Sequence, residues 1–121
     1  MSSEPTIFER IVAREIPADV VFENERLIAV RDIAPQAPVH LLVIPKTAEY
    51  ANVAELAAGN PELLAEVVTT AAALAAEHST GEYRLVFNSG PSAGQTVFHV
   101  HAHVLSVVDV NGSLEEGKLA G

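Results

Sequence analysis

Apolar residues follow two different periods along this chain, and the switches between them mark out its elements. Ile7, Phe8, Ile11 and Val12 keep the spacing of one helical face. They follow Thr6-Ile7-Phe8-Glu9, which has the Ser/Thr-x-x-Glu form of a capping box, so a short N-terminal helix is predicted that ends near Ile16-Pro17. Val20 to Glu23 and Leu27 to Asp32 are short apolar runs split by Asn24-Glu25 and read as a tight hairpin. Two prolines in Ile33-Ala34-Pro35-Gln36-Ala37-Pro38 forbid regular pairing there, and His40 to Ile44 resumes as a third strand. Asn60-Pro61-Glu62 supplies an N-cap, an N1 proline and an acidic first turn. Leu63, Leu64, Val67, Val68, Ala71, Leu74 and Ala75 then form a broad stripe. This is a long helix ending before Gly81, with His78 as a surface cap in its last turn. Tyr83 to Asn88 and Val97 to Leu105 complete a set of five strands and two helices. Residues 1–121 make a single domain, of which 106–121 is a polar tail.

The last predicted strand carries the chemistry. His99, His101 and His103 lie two residues apart, so in an extended strand all three imidazoles leave one face. Phe98, Val100, Ala102 and Val104 point to the other and enter a core. A face that merely meets water would mix in Lys, Glu or Thr. Here the row is bracketed by Val97 and Leu105, as the floor of a pocket would be. Imidazole, with a pKa of about 6.5, can serve as acid, base or neutral nucleophile near neutral pH. The preceding loop, Ser89-Gly90-Pro91-Ser92-Ala93-Gly94-Gln95, is rich in small residues whose backbone N–H groups could converge into an anion-binding nest. A nest beside a nucleophile suits phosphoryl chemistry.

Charge narrows the partners. Sixteen acidic against seven basic residues give a formal net charge of −9, which argues against nucleic acid or an anionic membrane surface as a partner. Cysteine is absent, which removes disulfides, thiolate nucleophiles and Cys-ligated zinc together. Met1-Ser2-Ser3-Glu4-Pro5 lacks a basic segment leading into an apolar one, and no later stretch approaches the roughly 20 apolar residues of a membrane span. The expectation is a soluble, cytoplasmic protein.

His99-Val100-His101-Ala102-His103-Val104-Leu105 resembles the signature of the histidine triad superfamily, three histidines alternating with apolar residues. Ile7-Phe8-Glu9-Arg10-Ile11, Glu15-Ile16-Pro17-Ala18, the run Asp32 to His40, Val43-Ile44-Pro45-Lys46 and Gly94-Gln95-Thr96 are similar to its histidine triad nucleotide-binding branch. Phe98 before the first histidine, and no Pro-Arg after the triad, are unlike the fragile-histidine-triad hydrolases. The resemblance implies an α+β fold with a five-stranded antiparallel sheet, joined to a second copy across the two-fold axis of a homodimer. It also implies hydrolysis of purine nucleoside phosphoramidates with no metal or other cofactor. By position, His101 would be the nucleophile that forms a covalent nucleotidyl-imidazole. His103 would contact the phosphate and help protonate the leaving group, and His99 and His40 would hold the neighbouring imidazoles in the needed tautomer. Asn88, Gly94, Gln95 and Thr96 would surround the phosphate and leaving group. Asp32 would accept hydrogen bonds from the ribose hydroxyls. Phe8, Ile16, Val30, Ile33 and Leu42 match the family's base pocket, whose apolar walls leave adenine and guanine undecided. For the dimer, the helix of residues 61–78 and one edge strand are the expected interface, with Ala71, Ala72, Ala73, Ala75 and Ala76 permitting close approach.

Three departures from the branch stand out. Ala93 replaces a common glycine and would cost about 1 kcal/mol if that position needs a positive φ. Thr96 replaces a common serine and keeps the hydroxyl. The chain has no Trp, so the tail lacks the Trp-Pro-Pro ending of some relatives, which leaves leaving-group preference open. Two rival readings come from other classes. One is a metal site, with H-x-H giving two ligands and His103 or His40 a third, although no Asp or Glu lies between Tyr83 and Val108 to complete it. The other is a nucleotide-binding regulatory protein without turnover.

Overall fold

A computed structural model describes residues 4–114. Its sheet has five antiparallel strands, β1 (Val20–Glu23), β2 (Leu27–Arg31), β3 (Val39–Pro45), β4 (Arg84–Val86) and β5 (Ala102–Ser106), in the order β1-β2-β3-β5-β4. β2 and β3 are almost continuously apolar because both faces of the sheet are covered. Leu27, Ala29, Leu41, Val43, Ala102 and Val104 point towards α3 (Pro61–His78) and pack with Leu63, Val67, Ala71 and Leu74. Ile28, Val30, Leu42 and Ile44 face the other way and pack with Phe8 and Ile11 of α1 (Ile7–Val12). The period of two thus assigns each residue of a strand to one of two cores.

α1 starts as its sequence predicts. The Thr6 hydroxyl accepts from the Glu9 backbone N–H, and the Glu9 carboxylate accepts from the Thr6 N–H. It stops earlier than expected, at Val12 rather than near Ile16. Arg14 takes a left-handed conformation (φ 62°), and the Arg14 and Glu15 N–H groups donate to the Ile11 and Arg10 carbonyls. These are the crossed bonds of a Schellman motif, here closed by a residue other than glycine.

A third helix, α2 (Val53–Gly59), lies where none is predicted. Only Leu56 of α2 is buried, so it has no apolar stripe to read. The Asn52 side chain caps its start, and Asn60 caps α3 immediately after it. Of the five alanines expected at the dimer interface, Ala71 and Ala75 are fully buried in the core, and Ala72, Ala73 and Ala76 are exposed.

The largest departure concerns the last strand, which begins at Ala102 and not at Val97. Its pairing with β3 runs from Val39↔Ser106 to Val43↔Ala102. The ladder would next have to run past Pro45, which has no N–H to offer. Residues 97–101 are therefore irregular, and Phe98, expected in the core, is half exposed. Among the described residues no helix is long and apolar enough to cross a membrane.

Candidate active site

The end of the ladder sets how the histidines stand. His103 remains in β5 opposite Leu42, whereas His99 and His101 sit on irregular backbone before it. They do not form one row on one strand face. His101 and His103 still meet, with ring centroids 5.1 Å apart, and Phe8 lies edge-on to both His101 (4.8 Å) and His99 (5.7 Å). His40, on β3, brings its ring within 5.2 Å of His103.

Obligate donors and acceptors around the rings decide where each proton lies. The His99 carbonyl can only accept, so His101 carries its proton on Nδ1 (2.8 Å) and keeps the lone pair on Nε2. The Gln36 N–H can only donate, so His40 Nδ1 holds a lone pair (3.0 Å) and Nε2 the proton. His40 Nε2–H then donates to His103 Nδ1 (2.9 Å), which puts the His103 proton on Nε2. That Nε2 is buried and has no hydrogen-bond partner among the described residues. An unshared lone pair on His101 thus stands beside an unshared N–H on His103. His99 is different: it is fully buried, donates from Nε2 to the Pro45 carbonyl (2.6 Å) and accepts at Nδ1 from the Thr6 hydroxyl (3.0 Å). Its ring is committed on both sides, and it steers His101 through its main-chain carbonyl.

Burial disfavours the charged form of His40, His101 and His103. It lowers the pKa of His40 and His101, and His103, crowded also by His101 and His40, falls to about 4. A neutral imidazole has the free electron pair that attack on phosphorus requires.

The other expected site residues divide by what they already hold. Asp32, half-buried just past β2, accepts from the Ala34 N–H at Oδ1 (2.8 Å) and has Oδ2 3.3 Å from His40 Nε2. Spare lone pairs on both oxygens remain for a diol. Phe8, Val30 and Leu42 form one buried cluster with Ile16 against it, while Ile33 stands 95% exposed outside that cluster. Asn88 is half-buried beyond β4, and Thr96 is exposed, lining a cleft of about 640 Å³ with Glu4, Thr6, Ile7, Ala48 and Phe98.

Gln95 does not present its amide to a ligand. It is 4% exposed; Oε1 accepts from the Gly90 N–H (2.8 Å), and Nε2 donates to the Ala51 (2.6 Å) and Val97 (3.0 Å) carbonyls. The loop itself is less of a nest than its composition suggests. Its Ala93, Gly94 and Gln95 N–H groups are spent on the Gly90 and Pro91 carbonyls. Gly90 and Gly94 carry its positive φ angles (91° and 97°), whereas Ala93 sits in a 3₁₀ turn over Pro91–Ala93 without one, so the feared cost does not arise.

Residues 13–109 match the model of the HIT domain family. The chain belongs to the HIT family. Within it, the relatives and the triad place the chain in the histidine triad nucleotide-binding branch. An uncharacterized HIT-like protein of Synechococcus elongatus is 52% identical over 104 residues, covering 85% of this chain and 90% of that protein. The purine nucleoside phosphoramidase of Escherichia coli is 40% identical over 105 residues (85% and 87% of the two chains). Among solved structures, a HIT family hydrolase from Clostridium thermocellum superposes with a TM-score of 0.81 at 40% identity, over 94% of this chain and all of that one. A maize relative, 39% identical over 113 residues (92% and 88%), is named a 14 kDa zinc-binding protein.

That last name makes Asp32, His40 and His103 worth testing as a metal site, since one ligand atom from each lies within 4.8 Å of the others. A ligating imidazole nitrogen must be deprotonated. The Gln36 N–H on Nδ1 keeps the proton of His40 on Nε2, where it bonds His103. As arranged, these three groups do not offer a cation three lone pairs.

Proposed function

We propose that this chain hydrolyses purine nucleoside phosphoramidates through a nucleotide bonded to His101. The observation that carries the proposal is the pairing of His101 Nε2, left with its lone pair by the Nδ1–H bond to the His99 carbonyl, with the unpartnered Nε2–H of His103. In the first step His101 Nε2 bonds to the α-phosphorus and the P–N bond breaks. The departing amine leaves with a proton taken up from water, while the neutral His103 Nε2–H donates a hydrogen bond to a phosphoryl oxygen and keeps its own proton. In the second, water adds to phosphorus, its proton passes to solvent and so returns the one the amine took, and the P–Nε2 bond breaks, which releases the nucleoside monophosphate and restores the imidazole. Asp32 holds the ribose hydroxyls, and the Phe8, Val30 and Leu42 cluster with Ile16 gives the base an apolar wall. The E. coli relative's name supports the substrate class. The same reading takes the working unit to be a homodimer and its place to be the cytoplasm.

Single-turnover reaction with an adenosine phosphoramidate, followed by acid quench and intact-mass measurement, tests this directly. The expected result is a transient nucleotidyl adduct on His101 that disappears as the monophosphate forms. His101→Gly is expected to bind nucleotide and to lose both adduct and turnover. Tight nucleotide binding with no turnover in the wild type would favour a regulatory protein. Turnover that excess chelator abolishes would favour a metal site.

A further inference from the structure

We propose that Thr6, at the N-cap of α1, is a positioning residue for the nucleophile and acts through the ring of His99. The inference rests on the reading of His101 given above and concerns what holds that residue in its reactive tautomer.

Thr6 Oγ1 already accepts the Glu9 N–H (3.2 Å), so the hydroxyl proton is free to be given elsewhere. His99 receives it. With Nε2–H donated to the Pro45 carbonyl, His99 Nδ1 has only a lone pair to offer Thr6. The hydroxyl is therefore used in both senses, as acceptor for the helix and donor to the histidine. The ring of His99 is pinned between α1 on one side and the end of β3 on the other.

This pin replaces the missing ladder. Residues 97–101 are outside the sheet, and within them Val100 has one backbone bond, from its N–H to the Tyr50 carbonyl (2.9 Å). The His99 carbonyl has to be aimed at His101 Nδ1 for the lone pair to stay on Nε2. Fixing the His99 ring at both nitrogens limits rotation of that residue and so keeps its carbonyl in place. Phe8, two residues after Thr6, packs edge-on against both rings and holds the same alignment from above. Without the hydroxyl, His99 Nδ1 would be a buried acceptor with no donor. Turning the ring to find one would carry the carbonyl with it.

Three substitutions separate this role from simple capping. Thr6→Ser keeps donor and acceptor. Thr6→Asp keeps a good N-cap acceptor but, when ionised, has no proton to give. Thr6→Val is nearly isosteric and has neither. Each full-length variant is measured by single-turnover nucleotidylation with an adenosine phosphoramidate, by AMP affinity, and by ¹⁵N NMR of the histidine rings. The expected result is a wild-type rate for Thr6→Ser and a fall of about tenfold or more in the nucleotidylation rate for Thr6→Val and Thr6→Asp, with AMP affinity within about twofold. The ¹⁵N signals of His101 should show the Nδ1–H tautomer in wild type and Thr6→Ser and a mixture in the other two. A wild-type rate and pure Nδ1–H tautomer in folded Thr6→Val would overturn the proposal. So would loss of rate and AMP binding together, in proportion to the fraction unfolded. If the wild type fails to turn over any phosphoramidate, the proposed function falls, and the tautomer measurement still decides the part played by Thr6.

Discussion

Removing the Gln95 side chain should cost stability before it costs chemistry. Its amide makes three hydrogen bonds to backbone, to Gly90, Ala51 and Val97, in a position 4% exposed. Gln95→Ala strands one N–H and two carbonyls. A sealed, unsatisfied polar group costs about 1–3 kcal/mol. All three parent residues are half-buried, so water reaches the freed groups in part, and the lower end applies to each. The total is about 3 kcal/mol, which for a domain of this size lowers the melting temperature by roughly 10 °C. Gln95→Glu is expected to lose a comparable amount, because it keeps one acceptor but turns the other end of the group against two carbonyl oxygens. Urea and thermal unfolding at matched protomer concentration measure both variants, alongside turnover at a temperature where each is folded. A Gln95→Ala protein with a wild-type unfolding midpoint and a collapsed rate would refute the bracing account and return the amide to the substrate.

Two further outcomes follow from the same structure. Because burial holds the His103 pKa at about 4, below the ordinary value near 6.5, the unfolded chain takes up this proton first as pH falls. His103 therefore favours the folded state fully above about pH 6.5, and this contribution is lost as pH drops through about 4; urea midpoints should fall more steeply over that range for wild type than for His103→Gln, and parallel slopes would contradict it. The proposed dimer should persist at low micromolar concentration, with Ala72, Ala73 and Ala76 of α3 as its small-residue surface since Ala71 and Ala75 are interior; a monomeric mass by light scattering would count against it.

What could be read from the chain was local. The Thr6 capping box, the Asn60-Pro61 helix start and the bounds of β1 depend on a few neighbouring residues, and each is found where its signal lies. α2 escaped because a helix burying only Leu56 shows no stripe, although Asn52 with Glu55 was a cap signal in plain sight. The first half of the expected β5 failed for a reason held in another strand: Pro45 closes the ladder, and no pattern within 97–101 reveals that. The triad made His101 and His103 conspicuous, but their tautomers depend on the Gln36 N–H and the His99 carbonyl. Gln95 was visible as a polar residue in a small-residue loop, and only its partners show that it braces the loop. Thr6 was legible as a cap and illegible as a partner of His99, because the bond that reveals it links opposite ends of the chain.

That bond has a consequence for biosynthesis. The Thr6 and His99 partners are 93 residues apart, and His40 and His103 are 63 apart. The residues made first wait for those made nearly last, and loops of this length close late in folding because their entropy must be met before the contacts reward it. A chain still held on the ribosome with β5 inside the exit tunnel lacks His103, and neither the six-residue α1 nor the two-stranded hairpin of β1 and β2 is stable by itself. On the proposed function, reactivity would arrive only when the far end of the polypeptide comes back to meet its beginning, so labelling of His101 by a nucleotide would report completion of the whole fold rather than the presence of any part of it.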